Sequence, residues 1–178
     1  MNKIAKFEKI SKKQLFRDGD FFTKDIAVDD SYKSLERINE FLYGTLEDLK
    51  MPKRATKMSA GYDICSPINV RVKAGEPFVI PTGLRCFFNQ KDWVLMIYPR
   101  SGLGFKYGMR LVNTCGIIDA DYVYAENEGH ILLKFVSDKD FEIHEGDRIA
   151  QGVFLKYGIT VDDKAEGQRT GGIGSTGV

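Results

Sequence analysis

From residue 60 onward, short apolar runs are punctuated by Gly, Pro, Asn and Asp at intervals of about ten residues. No other feature constrains the fold as much, because runs this short between turn-formers suit strands and not helices that must bury a face. Residues 70–72, 78–80, 84–88, 93–98, 111–118, 131–136 and 149–155 are the expected strands. Their number and spacing predict an all-β domain, a β-sandwich or barrel.

The N-terminal part reads differently. Tyr32, Leu35, Ile38, Phe41, Leu42, Leu46 and Leu49 fall close to helical spacing, with Asp29, Asp30 and Ser31 available to cap the start and Met51-Pro52 to end the helix. An amphipathic helix is therefore expected over about 30–50, weakened at Gly44. In the first 25 residues, Ile4, Phe7 and Ile10 suit a helix, whereas Phe21 and Phe22 are compatible with any packing. The expected organisation is an extension over 1–50, a β-domain over 51–168 and a glycine-rich arm over 169–178.

At 178 residues the chain can build one domain with a sizeable core. Its 26 Lys and Arg balance 25 Asp and Glu, so no bulk field is available to hold a nucleic acid or an acidic membrane. Any anion must be gripped locally. Cys65, Cys86 and Cys115 are odd in number and lack metal-ligand spacing, and His130 and His144 do not complete a cluster, which argues for a reducing compartment and against a zinc site. The opening Met-Asn-Lys-Ile-Ala-Lys has no apolar stretch after its charges, so a cytoplasmic location is expected.

Several segments carry chemistry. Tyr98-Pro-Arg-Ser-Gly102 ends an expected strand, and a short helical turn over 103–107 would aim N–H groups, the Ser101 hydroxyl and the Arg100 guanidinium at one point. Asn113-Thr-Cys-Gly-Ile-Ile-Asp-Ala-Asp-Tyr122 sets an amide, two carboxylates and a tyrosine into an apolar hairpin that can face the edge of a flat base. Gln151 is a lone amide in an apolar alternation and needs a partner or a ligand. Arg169 to Val178 holds four glycines beside Ser175 and Thr176, the composition of a phosphate-grasping arm.

Taken in order, Ala60-Gly-Tyr-Asp63, Tyr98 to Gly102, Asn113 to Tyr122, Gly146 to Phe154 and Arg169 to Gly177 resemble the five motifs of the homotrimeric deoxyuridine triphosphatases, the dUTPases. The resemblance covers 51–178. It implies a jelly-roll-like fold and a homotrimer with active sites shared at subunit interfaces, the arm of one chain serving another chain's Asp119. It also implies Mg2+-dependent hydrolysis of dUTP to dUMP and pyrophosphate, a reaction that limits uracil incorporation into DNA and supplies dUMP for thymidylate synthesis. By position, Asp119 matches the carboxylate that deprotonates the attacking water, and an aspartate is ordinarily ionised at neutral pH. Tyr122 matches the ring against the deoxyribose. Arg100, Ser101 and Gly102 match the phosphate turn, Gln151 a contact near the α-phosphate, and Asn113 with the backbone of Ile117 and Ile118 the uracil reader. Asp63 matches a residue steadying the magnesium shell through water. Arg169, Gly174, Ser175 and Thr176 match the phosphate contacts of the arm.

Three departures stand out. Ile173 replaces the phenylalanine that many members lay over the uracil, residues 123–128 lengthen a short hairpin, and residues 1–50 exceed the compact core. The nearest rival is a dCTP deaminase, which shares the fold and assembly. Those enzymes carry a glutamate where Gly129-His-Ile-Leu-Leu-Lys-Phe135 has Lys134, and a lysine cannot replace it as general acid and base. A nucleotide-binding regulatory protein, with the extra segments serving a protein partner, is the third reading.

Overall fold

The computed structural model describes residues 2–22, 44 and 46–172. The expected Ile173, Gly174, Ser175 and Thr176 contacts, and most of the 30–50 helix, lie outside them. In chain order the elements are β1 (Ala5–Lys9), α1 (Lys12–Phe22), β2 (Lys53–Arg54), β3 (Tyr62–Cys65), β4 (Val70–Val72), β5 (Phe78–Pro81), β6 (Leu84–Phe88) and β7 (Trp93–Pro99). There follow α2 (Ser101–Tyr107), β8 (Arg110–Leu111), β9 (Gly116–Ile118), a 3-10 turn (Tyr122–Tyr124), β10 (Leu132–Val136), β11 (Phe141–Ile143) and β12 (Arg148–Lys156).

The main sheet has the order β2-β3-β12-β7-β9, and smaller sheets pair β5-β10-β8, β11-β4 and β1-β6. This is the all-β, jelly-roll arrangement expected. Alternation explains most of it: in β4 and β6 the residues Val70, Val72, Leu84, Cys86 and Phe88 face inward, while Arg71 and Phe87 point out. Ile64, Ile80, Leu84, Leu95, Ile97, Phe135 and Ile149 are fully buried and join the sheets into one core. β12 and β7 pair over seven residues at its centre. They approach closely at Gly152, where a Cβ would lie 2.8 Å from Leu95 Cδ1.

Three expectations change, and one ambiguity is resolved. Residues 5–9, ambiguous by their spacing, form a strand in register with β6 from Ala5↔Phe88 to Lys9↔Leu84. The edge of β6 offers a ladder, and Phe7 gains a tilted aromatic cluster with Tyr62 and Phe154, contacts that period 2 rewards. The run 111–118 is not one strand or hairpin: β8 pairs with β10 and β9 with β7, across a turn in which Thr114 takes φ 69. Residues 123–128 complete the 3-10 segment and form the turns after it, not a hairpin, because Glu128 (φ 56) and Gly129 (φ 72) reverse the chain at once. The turn expected over 103–107 is a helix that starts two residues earlier and ends at the left-handed Gly108.

The N-terminal residues share the core. Ile10, Leu15, Leu46 and Leu49 belong to the same buried cluster as the strands. Gly44, Leu46 and Glu47 are helical, consistent with the end of the helix expected before Met51.

Candidate active site

At one end of β7 the ladder sets Gln151 between Tyr98 and Asp63, so the three lie side by side across β7, β12 and β3. Arg100 follows two residues on. Its Nη1 donates to Asp63 Oδ1 at 2.5 Å, and Arg148 Nη1 donates to Asp63 Oδ2 at 3.2 Å. Asp63 thus holds two guanidiniums at the strand end, and Arg100 is aimed by a partner rather than left to swing. Arg100 is also the N-cap of α2 and supplies no side-chain cap, which leaves the first N–H groups of the helix open beside the exposed Ser101 and Gly102. The side-chain amide of Gln151 makes no hydrogen bond to the other described residues, and its Oε1 would sit 2.8 Å from a Cβ at Gly61. Glycine at position 61 makes room for that amide.

A cleft of about 380 Å³ opens at the other side of β9, bordered by Asn113, Gly116, Ile117, Ile118, Tyr122 and Arg169. Asn113 and Ile117 are exposed along it, whereas Ile118 is buried. Arg169 closes one end: Nη2 donates to Asp119 Oδ2 at 2.5 Å and Nε to Asp121 Oδ1 at 2.9 Å, and the guanidinium lies 5.7 Å from the Tyr122 ring centre. Burial, aided by Asp18, pushes the Tyr122 phenol up, against the Asn127 hydrogen bond and Arg169, so it stays neutral at pH 7. Lys134 lines the same cleft.

The two groups do not meet within one chain. Ile118 pairs with Leu95, which sets Asp119 level with Val94, six residues before Arg100. At the rise of an extended strand that separation is roughly 20 Å. The expected residues therefore divide into Asp63, Arg100, Ser101, Gly102 and Gln151 on one side and Asn113, Ile117, Ile118, Asp119, Tyr122 and Arg169 on the other. The resemblance implied that the arm meets Asp119 of a different chain; here Arg169 reaches Asp119 of its own.

Sequence reasoning missed Arg148 and Asn127. Arg148 follows Asp147 at the start of β12, and a basic residue two ladder positions from Gln151 was a readable signal once the β12–β3 register was known. Asn127 donates through Nδ2 to the Tyr122 hydroxyl at 2.9 Å, a contact that only the turn 126–129 creates.

This fold and site define a jelly-roll domain with a guanidinium-rich turn at the end of β7 and a cleft of about 380 Å³ along β9 beside it. Residues 47–177 match the family described as dUTPase, and the chain belongs to that family. Deoxyuridine 5'-triphosphate nucleotidohydrolase of Lactococcus lactis is 40% identical over 134 residues, 72% of this chain and 89% of the relative. The enzyme of the same name from Nautilia profundicola is 39% identical over 136 residues, 74% and 93%. Among solved structures, a dUTPase from Streptococcus mutans superposes with a TM-score of 0.58 at 35% identity, covering 66% of this chain and 91% of that one. A dUTPase of phage phi11 of S. aureus, described with a structural Mg(II) ion, shares the fold at a TM-score of 0.57 and 23% identity over 68% and 92%.

Proposed function

We propose that this chain hydrolyses dUTP to dUMP and pyrophosphate. The observation that carries the reading is the cleft in which Asn113, Ile117 and Tyr122 stand beside the half-exposed carboxylate of Asp119. A planar base enters between Asn113 and the β9 backbone, the sugar rests on Tyr122, and Asp119 takes the proton of a water that attacks the α-phosphorus. Arg100, Ser101, Gly102 and Gln151 receive the phosphates, and Arg169 turns from Asp119 to the triphosphate when substrate arrives. Gly174, Ser175 and Thr176 extend that grip, with Ile173 as aliphatic cover over the base.

The separation of Asp119 from Arg100 along β7 supports a homotrimer in which each site joins the cleft of one chain to the phosphate turn of another. Among the described residues no group of three His, Cys, Asp or Glu could hold a metal ion. Mg2+ would instead be carried on phosphate oxygens and water, with Asp63 reached through water. When bound, Mg2+ offsets the phosphate charge that repels a nucleophilic water. No helix among the described residues is long and apolar enough to cross a membrane, and a cytoplasmic place for the enzyme agrees with the free cysteines.

Incubation with dUTP and with dCTP, followed by assay of pyrophosphate and ammonia, tests this function. Pyrophosphate from dUTP alone is expected. Ammonia from dCTP would identify a deaminase, and neither product would leave a nucleotide-binding regulatory protein.

A further inference from the structure

The turn over 126–129 ends one of the two segments that depart from the compact family core, 123–128, and is bonded to the other, the N-terminal extension. Ser11 donates to Glu128 twice, from its N–H at 2.8 Å and from its hydroxyl at 2.6 Å, while its Oγ also accepts the Gln14 N–H at 3.0 Å and so caps α1. Arg85 adds a 3.9 Å ion pair to Glu128 and a 3.0 Å pair to Glu8 of β1. Burial works against the charge of Glu128, but the Ser11 bonds and the charges of Arg85 and Arg17 outweigh it and hold the carboxyl below its usual range. Further along α1, Asp18 pairs with His130 Nδ1 at 2.6 Å, and Gly83 N–H donates to the other ring nitrogen at 3.0 Å. The helix is thus fastened at Ser11 and at Asp18 to two residues that flank Gly129.

The same turn holds Tyr122. Its hydroxyl donates to the His130 carbonyl at 3.0 Å and accepts from Asn127 Nδ2 at 2.9 Å. The Asn127 amide is itself oriented, because Oδ1 accepts the Gly129 N–H at 3.2 Å. Glu128 adopts φ 56, a left-handed conformation that is unfavourable for a non-glycine residue. Such an outlier persists only where its surroundings hold it, and here the Ser11 bonds do. The turn also touches the arm root, since Glu126 N–H donates to Thr170 O at 3.2 Å.

We infer that Asn127 and Glu128 are positioning residues for sugar selection: Asn127 fixes the Tyr122 ring, and Glu128 fastens that turn to α1, so the N-terminal extension governs how firmly the ring stands against the sugar. The inference rests on the reading that Tyr122 faces the sugar. Exclusion of one hydroxyl by contact needs a wall placed to within a fraction of an ångström, and the phenol's hydrogen bonds come from His130, paired with Asp18 of α1, and from Asn127, next to the Glu128 that Ser11 holds.

The test compares kcat/KM for dUTP and UTP in the full-length protein and in Asn127→Ala, Tyr122→Phe, their double variant, Glu128→Ala and Asp18→Ala. The dUTP preference should fall about three- to tenfold in Asn127→Ala and in Tyr122→Phe, the worth of one hydrogen bond, with no further fall in the double variant. Glu128→Ala and Asp18→Ala should lower it less, with kcat for dUTP within about threefold of the unmodified protein. Amide exchange of residues 126–130 should quicken in both, a readout independent of turnover. Unchanged preference in a folded Asn127→Ala, or a full additive loss in the double variant, would overturn the inference. Tyr122→Ala separates the two levels: if it leaves the preference intact, the assignment of Tyr122 fails; if it abolishes the preference while Asn127→Ala does not, only the positioning role fails. Should Glu128→Ala fail to fold, Glu128→Gln must reproduce the faster exchange, and native exchange there also counts against the inference.

Discussion

At the scale of single residues, the charge distribution around Asp119 decides what the cleft can do. With Arg169 and Tyr122 as neighbours, its carboxylate is oriented but half open to solvent, as a base that must admit water requires. Asp119→Asn keeps the shape and removes the proton acceptor, so turnover of dUTP should fall by about two to four orders of magnitude in a pyrophosphate-release assay, with binding retained. Near-normal turnover would remove Asp119 from the mechanism. His130 acts on stability instead. It is buried, and burial lowers its pKa against the pull of Asp18 and Glu128, so the folded protein holds it neutral where an unfolded chain would take up a proton. Stability from this residue is complete above the unfolded value near 6.5 and is lost as the pH falls below it. The thermal midpoint should drop between pH 7 and 5.5, and His130→Gln should flatten that slope. Glu8 and Glu128, whose pKa values are lowered from 4.5, act only in a more acidic window and do not mask the effect.

At the scale of elements, β1 converts an open edge into a paired one. It covers β6 along five residues and brings Phe7 onto Tyr62 and Phe154. An unpaired β6 would present free backbone groups beside exposed aromatics, the usual template for intermolecular pairing. Removal of residues 1–9 should therefore lower the melting temperature by about 6 °C or more, the loss of a packed Phe alone being worth about 3 kcal/mol, and should raise light scattering on heating. A truncated protein with an unchanged melt would mean that β1 rests on the sheet without supporting it.

At the scale of the whole molecule, the distance along β7 is what makes the proposed assembly testable. If the cleft takes the base and the turn the phosphates, as proposed, the distance between Asp119 and Arg100 keeps one chain from closing a site alone. Equal amounts of Arg100→Ala and Asp119→Asn protein, each inactive, should regain activity when refolded together, with about a quarter of sites complete under random assembly into closed trimers. A mixture as dead as its parents, despite confirmed mixed assemblies, would exclude sharing. The Arg169 contact gives a second arm to this experiment. Asp119→Ala mixed with a truncation ending at Gln168 separates two placements of the arm: activity returns if the arm serves another chain's Asp119, and stays absent if base and arm belong to one chain, as the Arg169–Asp119 contact within the chain would have it.

What the sequence determined by itself is local in origin. Strands 70–72 and 84–88 were legible because alternation in β4 and β6 is written in neighbouring residues, and 149–155 because it is an apolar run interrupted only by Gln151 and Gly152. Asp119, Tyr122, Arg100 and Gln151 were legible as well, since polar groups in apolar runs demand a reason. Tertiary structure alone decided the rest. β3 and β11 carry polar residues within short strands, and only their partners β12 and β4 make them strands. Residues 5–9 have a spacing open to helix, and the free edge of β6 chose otherwise. The run 111–118 divides between two sheets because β7 and β10 each take one end of it. Asn127 and Glu128 acquire their roles from Tyr122 and Ser11, the latter more than a hundred positions away in the chain. Hydrogen bonds between distant segments leave no periodic trace in either one, so pairing of this kind enters only when the chain has folded.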